Sequence, residues 1–259
     1  MSSFIIAFAL YSKIPMPKVD WNEKNMKYAI CYFPLVGAVI GILEIGCFLL
    51  CDDLKIDTLL RSILLTAIPI MVTGGIHMDG FLDTVDARSS YGNRVEKLKI
   101  LEDPHAGAFA IIKGILYFIL QIGFFSEISK HGIQILAAGF VISRALSGFA
   151  LATWKSAKET GLLASFSKGA DKKIVRFFMI AYVIAVTALA IWYVSKAGTL
   201  MAGMIVFVIL TVCVVVFVYY RYFSYREFGG ITGDLAGYFL QMIELTFLIS
   251  IVLVEKVFG

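Results

Sequence analysis

Seven apolar runs, each long enough to cross a bilayer as a helix, constrain this chain more than any other feature. They cover residues 28–51, 59–76, a third run ending at 125, 132–154, 174–195, 198–223 and 235–257. At 1.5 Å rise per residue, about 20 apolar residues cross the ~30 Å hydrocarbon layer. Backbone amides in lipid must find partners within the chain, and the alternating ten-residue segments of an outer-membrane barrel are absent, so the spans are helices. With 59% of its 259 residues hydrophobic and 16% charged, the chain reads as an all-α, polytopic integral membrane bundle in a lipid bilayer. It is expected to form one transmembrane domain over 1–259, with about seven spans and no internal repeat.

Ahead of the spans, the apolar run at 4–10 is followed by Ile14-Pro15-Met16-Pro17. A short N-terminal interfacial or re-entrant helix and then an irregular stretch are expected there. No basic residue precedes the run, so it does not read as a signal peptide. Cys31, Cys47, Cys51 and Cys213 sit in apolar runs without a CxxC pair and read as small buried hydrophobes. The net charge of +4 is too small to suggest a nucleic-acid partner, and none is expected. Its distribution says more. With the N-terminus in the cytoplasm, sixteen Lys and Arg fall on the inner segments, and Lys55, Arg61, Lys130, Lys196 and Lys256 fall outside. That asymmetry predicts a multi-pass protein of the cell inner membrane with its N-terminus inside and its C-terminus outside. Both the acidic segment 77–105 and the glycine-rich loop 224–234 are then cytoplasmic, beside a basic linker at 155–173.

The acidic segment is where chemistry is expected. Asp79, Asp83 and Asp86 recur at i, i+4 and i+7, within about 60° of one another on a helix. Three like charges on one stripe repel unless a cation sits among them, and carboxylate ligands without Cys suit a hard ion, Mg²⁺ or Mn²⁺, better than zinc. A solvated polar loop is the plain alternative. His77 lies on roughly the opposite side from Asp79, with metal ligand, general base and structural histidine all open. Asp103-Pro104 reads as the N-cap and first residue of the third span, with Asp103 also held as a contact to phosphate or substrate. Arg88, Arg94, Lys97 and Lys99 could neutralise a diphosphate or meet anionic lipid.

Gly229-Gly230-Ile231-Thr232-Gly233-Asp234 precedes the last span. Glycines before a helix let N–H groups approach an anion, which makes Gly230, Thr232, Gly233 and Asp234 a candidate phosphate cradle; the plain reading is a turn with Thr232 or Asp234 as N-cap. Glu244 lies ten residues further, about 15 Å along the helix axis and near the bilayer midplane. Arg144 stands at a similar depth in the fourth span, so the two are expected to pair. Glu44 is a third intramembrane charge, read as structural, with Lys113 as its candidate counter-charge.

The motifs GGIHMDGFLDTVDA, LEDPHAGAF, Ile142-Ser143-Arg144 and GGITGDLAGYFLQMIE, with KIPMP and YFPLVGAVIG nearer the N-terminus, resemble the cobalamin synthase (adenosylcobinamide-GDP ribazoletransferase) family over most of the chain. The chain departs from that pattern at Ala87, where glycine is expected, and at Lys158, where arginine is expected, which weakens a bidentate phosphate contact there. The resemblance implies transfer of a phosphocobinamide group from adenosylcobinamide-GDP to α-ribazole or its 5′-phosphate, with release of GMP. It also implies a Mg²⁺ cofactor, held by Asp79, Asp83 and Asp86. His77 or Asp86 would serve as the base, and Asp103, Arg144, Lys158 and the 229–234 loop would contact substrate or phosphate. Oligomeric state is left open. Two rival readings are a CDP-alcohol phosphotransferase, echoed by Asp86-Ala87-Arg88 but lacking the later aspartates, and a secondary transporter, whose site would lie near midplane.

Overall fold

The structure, a computed structural model, describes residues 2–158, 170–197 and 200–258. Residues 159–169, with Lys168 and most of the basic linker, and residues 198–199, where the sixth run was expected to start, lie outside the described residues. Regular structure among the described residues is helical, and a single bridge pairs Ser156 with Ile231. In chain order the helices are α1 (Ser2–Tyr11), α2 (Glu23–Met26), a 3₁₀ turn (Ala29–Tyr32), α3 (Phe33–Asp53), α4 (Thr58–Thr73), α5 (Ile76–Ser89) and α6 (Arg94–Ile100). Then come α7 (Ala108–Phe125), α8 (Lys130–Thr153), α9 (Lys172–Ala197), α10 (Leu200–Phe223), a π-helical turn (Ser224–Phe228) and α11 (Gly233–Phe258).

Six of these helices, α3, α7, α8, α9, α10 and α11, are long and apolar enough to cross a membrane. The remaining expected span is α4, which is bent 95° from α5 at Gly74-Gly75. Both glycines are left-handed, with φ of 66° and 79°, a region in which a side chain is strained. The 14-residue α5, carrying Asp79, Asp83, Asp86 and Arg88, is too short and too charged to span by itself. It is an arm bent away from the end of α4.

The bundle is organised around α8, which is buried on nearly all faces and packs against α3, α9 and α11. Outward-facing residues such as Phe177, Ile184 and Trp192 on α9 and Phe207, Val214 and Val218 on α10 are exposed and apolar, a surface of the kind that suits acyl chains. α1 forms as expected and packs on the 3₁₀ turn and α3. The irregular stretch after it is tied to the end of α4 through the Lys13 amide, which donates to the Val72 carbonyl at 2.7 Å.

Two interior charges meet as their depths predict. Arg144 Nη1 donates to Glu244 Oε1 at 2.7 Å, with both side chains buried, and Ser143 Oγ donates to the same oxygen at 2.8 Å. Two other expectations are corrected. Lys113 is exposed, and its nearest hydrogen-bond partner is Ser89 Oγ at 3.4 Å, so it does not reach Glu44. Glu44 is fully buried with both carboxyl oxygens unpartnered. Asp103 does not cap α7. That helix starts five residues later, after Gly107, because Asp103 Oδ1 takes the His105 amide at 2.9 Å and closes a tight turn instead.

Candidate active site

The acidic face is set by how closely α5 lies on the start of α11. At Gly80 an added Cβ would stand 2.8 Å from Asp234 Cα, and at Gly237 it would stand 2.8 Å from the His77 carbonyl oxygen. Only two facing glycines let the backbones touch in this way. The contact brings Asp234 from the far end of the chain to the edge of the stripe formed by Asp79, Asp83 and Asp86.

These carboxylates sense one another. Partial burial, then the charges of Asp79, Asp234 and Asp86, push the Asp83 carboxyl up to about 6. Among the described residues no Lys or Arg lies within ion-pair distance of any of the four. The nearest cationic influence on Asp83 and Asp234 is Lys158, whose Nζ is 3.0 Å from Glu102 Oε1.

Lys158 is carried there by a contact between distant loops. The Ala157 amide donates to the Ile231 carbonyl and the Ile231 amide to the Lys155 carbonyl, both at 2.9 Å. Gly230 is needed for this approach, since a Cβ there would stand 2.5 Å from the Lys155 carbonyl oxygen. The cradle expected at 229–234 is therefore largely committed to structure. The amides of Gly230 and Ile231 are bonded within the loops, and Thr232, buried, caps α11 by accepting from the Leu235 amide at 3.2 Å. What stays open is the helix start. Gly233 is exposed, with nothing within 4 Å of where its Cβ would be, and it lies at the positive end of a 26-residue helix.

The other predicted residues fall elsewhere. Two residues from Asp79 is about 200° around a helix, and His77 accordingly faces inward. It is buried, its ring centroid lies 5.7 Å from that of Phe33, and its Nε2 has no partner. It cannot serve as base at the acidic face. Arg144 is likewise an interior residue, committed to Glu244 rather than to phosphate. Arg88 and Lys97 both pair with Glu227, at 3.0 and 2.7 Å, and Arg94 donates to the carbonyls of Tyr225 and Arg226. These cations bind α5 and α6 to the π-helical turn.

One group was missed from the sequence. His105 Nδ1 lies 2.8 Å from Asp103 Oδ1, and both side chains are exposed. The amide of His105, and then its ring, hold the Asp103 carboxyl below the usual carboxylate range. The proximity of a histidine two residues after an aspartate was the available signal, hidden by the stronger resemblance of Asp-Pro to a helix cap.

The comparisons with known proteins agree on one assignment. A family model described as "Cobalamin-5-phosphate synthase" matches residues 3–252. The chain belongs to the cobalamin-5-phosphate synthase family. Within it, a protein of Lachnoclostridium phytofermentans named adenosylcobinamide-GDP ribazoletransferase is 44% identical over 99% of this chain and 95% of its own length. Proteins of the same name from Clostridium botulinum strain Alaska E43 and Treponema denticola are 33% and 32% identical. They cover 95% and 96% of this chain, and the same shares of their own lengths. No solved structure matches this family member.

A divalent ion is the remaining question at this site. No three His, Cys, Asp or Glu converge at ligating distance among the described residues. Magnesium does not require such a cage, since it is commonly held by one or two carboxylates together with water and substrate phosphate. The donor set, hard oxygens whose charge is balanced by no adjacent cation, fits that ion.

Proposed function

We propose that this chain transfers the phosphocobinamide group of adenosylcobinamide-GDP to α-ribazole or its 5′-phosphate and releases GMP. What carries the reading, beyond family membership, is the meeting of the Asp79–Asp83–Asp86 stripe with Asp234, Lys158 and the open start of α11 at one edge of the bundle. A site at the edge admits a bulky soluble nucleotide, whereas a transporter's would be enclosed at mid-membrane.

Asp79, Asp83 and Asp86 would hold Mg²⁺, which when bound supplies charge neutralisation for the diphosphate oxygens. Lys158 contributes a point charge to the same diphosphate. The α11 start at Gly233 would face the developing negative charge with the positive end of the helix, which costs no reorganisation as the reaction proceeds. Gly80 and Gly237 fix the distance between the two halves of the site. The bias of Lys and Arg favours a cytoplasmic location for this edge.

The test is to incubate detergent-solubilised protein with GDP-activated cobinamide and α-ribazole, with and without Mg²⁺, and to follow GMP. Release that requires both the acceptor and the ion is expected. Its absence under every condition would overturn the reading.

A further inference from the structure

The loop between α6 and α7 is pinned to the site at both ends. Glu102 bonds Lys158 at 3.0 Å, and the Gly107 Cα lies so close to Asp86 that an added Cβ would stand 2.2 Å from the carboxylate Oδ1. His105 lies between these two anchors. An ionised Asp103 can only accept, so the 2.8 Å contact fixes the proton of the neutral imidazole on Nδ1 and leaves the Nε2 lone pair facing outward. Here a base is oriented by a carboxylate and exposed on the loop whose two ends reach Lys158 and Asp86. The other two histidines are excluded by position. His77 is buried, and His131 sits in the first turn of α8, where its Nδ1 is engaged with Tyr193 Oη at 2.9 Å.

We infer that His105 is the catalytic base that takes the proton of the ribazole hydroxyl, with Asp103 as its positioning residue. The inference rests on the proposed transferase reaction. In that step the hydroxyl oxygen forms a bond to the phosphorus of the cobinamide phosphate as its proton passes to His105 Nε2. The bond from that phosphorus to the bridging oxygen breaks, and GMP leaves with that oxygen and its electron pair. The imidazolium then returns its proton to water.

The test uses the full-length protein in detergent, with GMP release as the readout. His105→Ala removes an exposed side chain that supports no packing, so the variant should keep the wild-type unfolding temperature. A 10²- to 10⁴-fold loss of kcat is expected, the usual worth of a general base, with KM for the activated corrinoid within about threefold and with activity restored in proportion to added imidazole. Asp103→Asn should lower kcat less and should not respond to imidazole, because the native ring is still present. Wild-type turnover in His105→Ala, or a loss that imidazole leaves untouched, would overturn the assignment while the transferase reaction stands. Silence of the wild-type protein would instead overturn the reaction.

Discussion

Gly80→Ala tests the geometry of the site with one methyl group. The new Cβ would stand 2.8 Å from Asp234 Cα and 2.9 Å from its carbonyl oxygen, whereas carbon atoms make favourable contact near 3.5 Å. Because the obstacle is backbone, no rotamer change relieves it. The α5 arm and the start of α11 must part by about 0.7 Å, which moves Asp79 and Asp83 away from Asp234 and Lys158. Overpacking of this kind costs about 1–3 kcal/mol of stability, and misplacement on the order of 1 Å lowers turnover about 100-fold. Gly123→Ala in α7 is the control, since nothing lies within 4 Å of its Cβ, and alanine there should stabilise the helix by up to ~1 kcal/mol. GMP-release kinetics and thermal unfolding in detergent should show Gly80→Ala slow and less stable, and Gly123→Ala active and at least as stable. Wild-type kcat in Gly80→Ala would refute the argument that this contact sets the site.

Asp79→Asn and Asp83→Asn should each abolish turnover without lowering the unfolding temperature, and full activity in both would remove the metal-ligand role. Because partial burial and the neighbouring carboxylates push the folded Asp83 carboxyl up to about 6, above the ordinary carboxylate value of 3.8, the metal-free fold binds extra protons between those values. The stability that Asp83 contributes should therefore be fully present below about pH 4 and be lost as pH rises through 6, and Asp83→Asn should remove that fall from unfolding curves recorded in EDTA. Lys158→Ala should raise KM for the activated corrinoid about tenfold, roughly 1.4 kcal/mol, with a smaller change in kcat. Arg144→Met or Glu244→Leu alone strands a buried charge and should cost about 3–5 kcal/mol, whereas the double variant should recover much of that loss in expression and unfolding assays.

The spans were legible because hydrocarbon thickness dictates a length that any apolar run must meet. Arg144 and Glu244 could be paired in advance for the same reason, since rise per residue converts sequence position into depth. The Gly74-Gly75 break was visible, but its 95° angle was not, because the angle depends on what α5 packs against. His77 was placed opposite Asp79 with metal ligand, base and structural roles all open, and only its burial against Phe33 separates them, since that depends on what α5 packs against. Asp103 was misread because Asp-Pro satisfies the local rules for a helix start, while the position of Gly107 against Asp86 is a tertiary fact. The commitment of Ile231 could not be seen either, since its partners, Lys155 and Ala157, lie more than 70 residues away in the linker.

The pair of hydrogen bonds between Ala157, Ile231 and Lys155 has a mechanical meaning. It rivets the segment bearing Lys158 to the segment that opens α11, so neither can be displaced without dragging the other. A phosphate that drew Lys158 toward itself would also pull on the start of α11 and, through it, on Asp234.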